Sequence, residues 1–200
     1  MDVANKSSRV LVSAVALVFA ISSLTACGGA APAADVPAGD YPDLTLTESK
    51  SPAQLLRNTA VSRIPSEVIL NAGTDTDGSE ACLTETEDPK GYIRRWKSSV
   101  DVNLRLPEAP NTQAIVDGVL ATFTDEGWMS QAITGSKANN QAHLLTNETA
   151  GTESVSGAQL RIEAIVASDG ASSFIRVEAI GPCVITGGAS SAEVTELGKL

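Results

Sequence analysis

Side chains able to do chemistry are few and scattered in this chain of 200 residues. His143 is its one histidine, so a nucleophile activated by imidazole would have to run through it. Ala142 and Leu144 flank it in a strand-like segment, and no G-x-S-x-G turn accompanies it, so a surface or edge histidine is expected. Cysteines stand at Cys27, Cys82 and Cys183, without the C-x-x-C spacing of a redox or zinc motif. Six carboxylates fall between Asp75 and Asp88 with no base among them. Asp75, Asp77 and Glu80 surround Gly78 and invite comparison with a calcium loop. That loop needs ligands at set positions and a closing glutamate at the twelfth, which this stretch lacks, so a solvated turn is expected over 74–80. Arg94-Arg95-Trp96 could meet an anionic glycan or phospholipid, or simply open a strand with a basic end. Two carboxylates working on a sugar would suffice for hydrolysis, but nothing singles out a pair. The expectation is a protein with no catalytic residues, no cofactor and no metal site.

Cys27 has the sharper context. Residues 1–9 carry Lys6 and Arg9 against Asp2, and residues 10–21 are apolar except for Ser13. A run of about twelve is too short for a hydrocarbon core that needs about twenty residues. It matches the apolar core of a secretory signal, with small residues following. The tetrapeptide Leu24-Thr25-Ala26-Cys27 resembles the lipobox of bacterial lipoproteins. That resemblance implies a diacylglyceryl group on the Cys27 sulfur and cleavage before it, hence attachment to the extracytoplasmic face of the cell membrane. Two or more acyl chains anchor stably where one is marginal. Residues 1–26 are then the signal peptide and 27–47 a lipidated, flexible tether. Residues 28–43 are rich in Gly, Ala and Pro, with a reach of roughly 20–25 Å.

The formal net charge is −10, and losing Lys6, Arg9 and Asp2 with the signal makes it one unit more negative. Such a surface repels nucleic acid, and no basic patch offsets it. Aromatic residues make up 4% of the chain, so the core must be built from Val, Ile, Leu and Ala. With Cys27 assigned to lipid, Cys82 and Cys183 are expected to pair in an exported protein. The alternative, a reactive or metal-binding pair, lacks motif spacing and has only His143 to draw on. The disulfide would close a loop of about a hundred residues and contribute on the order of 4–5 kcal/mol. Against a typical stability of about 5–15 kcal/mol this is a large share.

The elements follow from periodicity. Ser51-Pro52-Ala53-Gln54 reads as a capping box that starts a helix, with Leu55, Leu56, Thr59 and Ala60 as its buried stripe and Pro65 as its end. Residues 96–106 alternate strictly, with Trp96, Val100, Val102 and Leu104 on the even positions and Lys97, Asp101 and Arg105 on the odd, and Pro107 and Pro110 stop the strand. Residues 112–126 repeat at helical spacing, and Gly127 suits a left-handed cap that folds Trp128 back on Phe123. Strands are expected over 141–146, 158–166 and 175–179, the last two joined through Ser168-Asp169-Gly170-Ala171 as a hairpin. Together these predict an α+β fold, an antiparallel sheet of about four strands with two helices packed on one face. The domain would span 48–186, and 187–200 would be a disordered tail.

The Leu-Thr-Ala-Cys lipobox, Gly127-Trp128 after a helix and the closing Gly181-Pro182-Cys183-Val184 give the chain a resemblance to a group of small actinobacterial lipoproteins of unassigned function. The resemblance implies an anchored extracytoplasmic domain and little chemistry. The expected function is a non-catalytic interaction or accessory module meeting a protein or cell-envelope partner. The alternative is a carrier or sensor of an apolar or lipid ligand, which needs a cavity of about several hundred Å³ between sheet and helix.

Overall fold

The central alternating stretch becomes the axis of the structure. In the computed structural model, which describes residues 36–105, 112–135, 141–147, 157–166 and 172–198, strand β3 runs Ile93–Leu104. The signal segment, Cys27 and the first part of the tether, to residue 35, together with Pro107, Pro110 and the 168–171 turn, lie outside the described residues. One edge of β3 pairs antiparallel with β7 (Ser173–Ile180). The other pairs with β1 (Ile69–Ala72) along its second half and β2 (Thr76–Ala81) along its first. β1 and β2 are thus two parts of one border, interrupted over 73–75. From β7 the sheet continues through β6 (Gln159–Val166) and β5 (Gln141–Thr146) to β4 (Met129–Thr134), every pair antiparallel. The two-residue strand β8 (Val184–Ile185) pairs with Ile93 and Arg94.

The expected α+β fold with about four strands and two helices is corrected: among the described residues, eight strands form one sheet, accompanied by three helices. The four additional strands share a physical reason for being missed. β1, β2 and β4 are border strands with mostly exposed or half-buried side chains, and β8 is two residues long. Their pairing comes from the backbone ladder, which leaves no period of two in the side chains. The acidic 74–80 stretch, expected as a solvated turn, supplies most of β2 for the same reason.

One face of the sheet is apolar. Val100, Val102, Leu160, Ile162, Ile175 and Val177 are buried there against helix α2 (Thr112–Asp125) and the second half of helix α1 (Leu46–Ser62). Helix α2 presents Val116, Val119, Leu120 and Phe123 to this cluster. It closes as its sequence predicts: Gly127 has φ +89°, its N–H donates to the Thr124 carbonyl, and the Trp128 N–H donates to the Phe123 carbonyl. The Trp128 ring then meets Phe123 edge-on, with centroids 5.5 Å apart. A left-handed residue is needed there, and glycine takes that conformation without strain.

Helix α1 corrects its expected start and part of its expected face: Ala60 is buried and Leu56 packs on the core as expected, but Leu55 does not. It begins at Leu46, capped by Thr45 with Glu48 reaching back to the Thr45 N–H at 2.7 Å, and Pro52 lies inside it. A proline within a helix costs about 3 kcal/mol. Full burial of Leu46 recovers about 1.5–3 kcal/mol, and a good cap about 1 kcal/mol more, so the longer helix is affordable. Its buried stripe is Leu46, Ser49, Ala53, Arg57 and Ala60, whereas Leu55 is 66% exposed. Leu46 and Ala53 join Trp96 and Val184 in a second, smaller cluster, bordered by Leu44, Val194 and Leu197. Helix α3 (Ala192–Leu197), capped by Ser191, brings in the last two. The tail expected to be disordered from 187 onward is therefore folded over most of its length. Glu193 of α3 accepts a 2.7 Å hydrogen bond from the Leu46 N–H, one of the donors that α1 leaves unpaired at its start.

Candidate functional site

The acidic stretch is built into the fold. Arg57, only 5% exposed, reaches from α1 to Asp75 at 2.8 Å and Asp77 at 3.4 Å. Asp77 also accepts the Trp96 indole N–H at 2.9 Å and a hydrogen bond from the Gln54 amide. Burial disfavours its charge, but the nearby Ser98 hydroxyl, the hydrogen bonds from Trp96 and Gln54 and the Arg57 charge outweigh burial, so its pKa is lowered. Glu80 is lowered likewise: burial opposes, and the hydrogen bonds and charges of Lys97 and Arg95 prevail. Glu87 closes a turn onto the Thr84 N–H, and buried Asp88 accepts the Ile93 N–H at 2.7 Å. Among the described residues, no group of three or more His, Cys, Asp or Glu is placed to hold a metal ion.

The expected cysteine pair is present. Cys82, just after β2, and Cys183, just before β8, form a disulfide with Cα atoms 6.1 Å apart and 101 residues between them in sequence. Next to it, Gly181 lets α1 come close. A Cβ at that position would run into the carbonyl oxygen and hydroxyl of Ser49. The Ser49 hydroxyl accepts the Trp96 N–H at 3.2 Å and donates to the Pro182 carbonyl at 2.9 Å, while the Gly181 N–H donates to the Trp96 carbonyl. The Gly-Pro-Cys-Val motif is thus the seam joining helix, β3 and β8.

His143 sits on β5 opposite Ala132 and Ile162, half-buried, with Nδ1 3.4 Å from the Ser130 hydroxyl. No carboxylate among the described residues hydrogen-bonds its ring, as the third member of a triad would. Arg94 and Arg95 are turned onto β2, Arg94 to Ser79 and Arg95 to Glu80, while Trp96 points into the small cluster. The three residues do not share a surface.

The site that sequence reasoning missed is on the opposite, polar face of the sheet. Where the border breaks between β1 and β2, a cleft of about 350 Å³ opens, lined by Thr74, Thr76, Lys97, Ser99, Asp101, Arg176 and Glu178, together with Gly73 and Val100. The outward positions of β3 and β7 place these groups: Asp101 pairs in register with Arg176, and Ser99 with Glu178. Two parallel hydrogen bonds of 2.8 and 2.9 Å lock Arg176 onto Asp101, and the guanidinium lies 5.7 Å from the Phe174 ring. The Asp101 hydrogen bond, more than the opposing burial, raises the Arg176 pKa. Lys97 is held by Glu80 at 3.0 Å. Both cations of the cleft are thereby committed. The signal for this site lay in the odd positions of β3, which read as a wet face. The gap in the border that makes it a cleft has no sequence signature.

Compared with known proteins, the chain matches no family model and no curated protein.

Proposed function

We propose that this protein is a lipid-anchored, extracytoplasmic interaction module, tethered through Cys27 and working through the polar face of its sheet without doing chemistry. The observation that carries the reading is the contrast between the faces. The space between sheet and helices is occupied by buried Val, Leu, Ile and Phe side chains, whereas the outer face holds an open cleft of about 350 Å³ with hydrogen-bonding groups around it. A carrier of apolar ligands needs the reverse arrangement, an unfilled apolar interior.

The anchor follows from the lipobox resemblance and the apolar segment before it. No helix among the described residues is long and apolar enough to cross a membrane. Membrane fractionation of the full chain and its Cys27→Ala variant tests the anchor. Wild-type protein is expected in the membrane pellet and the variant in the supernatant. A variant that still sediments with membranes overturns the assignment.

A further inference from the structure

We propose that the cleft at the break between β1 and β2 is a binding site for a neutral saccharide. This deepens the interaction-module reading and rests on it.

Four side chains in the cleft have unspent hydrogen-bonding capacity. Among the described residues, Glu178 makes no ion pair or hydrogen bond, and the hydroxyls of Thr74, Thr76 and Ser99 make none through their side chains. One carboxylate and three hydroxyls form a set that accepts more readily than it donates. The ligand must therefore offer hydrogen-bond donors. Its charge is constrained by the walls. Lys97 and Arg176 balance Asp101 and Glu178, and both cations are already bound to carboxylates, to Glu80 and Asp101 respectively. An anion would find no free cation there, and the protein's net charge of −10 repels it from a distance. A cation drawn to Glu178 would face Arg176 two residues away on the same side of β7, Arg161 directly across on β6, and Lys97 on β3. A neutral polyol meets neither penalty. Its hydroxyls can donate in pairs to the Glu178 carboxylate and exchange donor and acceptor roles with Ser99, Thr74 and Thr76. The cleft's volume lies within the range of small-ligand sites, about 300–1,000 Å³.

The recognising groups sit on a rigid frame. Ser99 and Glu178 are registered neighbours in adjacent central strands, and the locked Arg176–Asp101 pair forms the wall beside them. Little ordering would be needed on binding, which favours affinity from few contacts.

The test is saturation-transfer NMR on the full chain in a polyoxyethylene detergent, with maltose, cellobiose and N,N′-diacetylchitobiose as probes and spermidine and inorganic phosphate as charged comparisons. At least one disaccharide is expected to bind saturably, with an affinity insensitive to salt. Glu178→Gln should weaken it about tenfold or more, since a hydrogen bond to a charged group is lost. Ser99→Ala should weaken it less, and Asp125→Asn on α2 should leave it unchanged. The proposal is overturned if none of the disaccharides binds, if Glu178→Gln binds as well as wild type, or if spermidine or phosphate takes the cleft instead. Because membrane attachment is read separately through Cys27, loss of the saccharide reading would leave the anchored module standing.

Discussion

The two buried clusters of this domain are held together by different means. The large one, between the sheet and α2, is a continuous layer of Val, Leu, Ile, Ala, Phe and Trp side chains. The small one, at the start of α1, has four fully enclosed apolar residues, Leu46, Ala53, Trp96 and Val184. Four residues exclude too little surface from water to order a helix start, a two-residue strand and a C-terminal helix. The deficit is met by polar and covalent fixings: the Cys82–Cys183 disulfide, the Ser49 hydroxyl shared between Trp96 and Pro182, the Glu193 carboxylate on the Leu46 N–H, and Arg57 between Asp75 and Asp77. Where apolar area is short, each specific fixing carries a larger share of local order.

The largest effect should come from removing the covalent fixing. Cys82→Ser, followed by thermal unfolding, is expected to cost on the order of 4–5 kcal/mol and to lower Tm by about ten degrees or more. The small cluster should loosen first. The two tryptophans make this visible, since Trp96 belongs to the small cluster and Trp128 to the large one. In a Trp128→Phe background, Trp96 fluorescence should change below the temperature at which the sheet melts by circular dichroism. Coincident transitions, or a Tm shift of only a degree or two, would mean that the two clusters form one cooperative unit with no special need of the crosslink.

The comparison also explains what was legible. Helix α2, its Gly127 cap, and the central strands β3, β5, β6 and β7 all belong to the large cluster or flank it, and their side chains repeat at the period of their own backbone. The small cluster left no such trace. Leu44 and Leu46 sit in a stretch dominated by Pro, Asp and Thr, and Val194 and Leu197 in one dominated by Ser, Glu and Gly. Their burial depends on partners far away in sequence, Trp96 and Val184 for the start of α1 among them, so a local pattern cannot reveal it. The capping box at Thr45 was masked by the equally good pattern at Ser51, which a proline reinforced. The cleft was legible only in half. Its Ser99, Asp101 and Glu178 appear in sequence as the wet side of strands, but their convergence depends on the register of β3 against β7 and on the gap in the opposite border.

A smaller effect sharpens the seam itself. Gly181→Ala forces a methyl group against the Ser49 backbone, and overpacking of this kind costs about 1–3 kcal/mol. Thermal unfolding should show Tm lowered by about five degrees, with the Trp96 signal again shifting more than the sheet signal. A Gly181→Ala protein as stable as wild type would show that α1 can slide away from β8 without loss, and the seam would then be less tight than its geometry indicates.

The smallest effect separates the clusters by pH. Asp77 and Glu80 have folded pKa values below their ordinary 3.8 and 4.5; both sit on β2, Asp77 on the side of the small cluster and Glu80 on the polar face. A depressed carboxylate contributes stability that is complete above its unfolded value and is lost as pH falls through that value toward the folded one. Stability should therefore be level at neutral pH and decline once the pH drops below the mid-fours. The charge on Arg57 ties this decline to α1, because protonated Asp77 no longer balances the guanidinium. In the Trp128→Phe background, acid titration should move Trp96 fluorescence before the far-ultraviolet signal of the sheet. Asp77→Asn, which keeps the shape and removes the titration, should flatten the Trp96 response across the same interval. An unchanged acid response in Asp77→Asn would assign the sensitivity elsewhere on the chain, and the small cluster would then owe its order to the disulfide and the Ser49 seam alone.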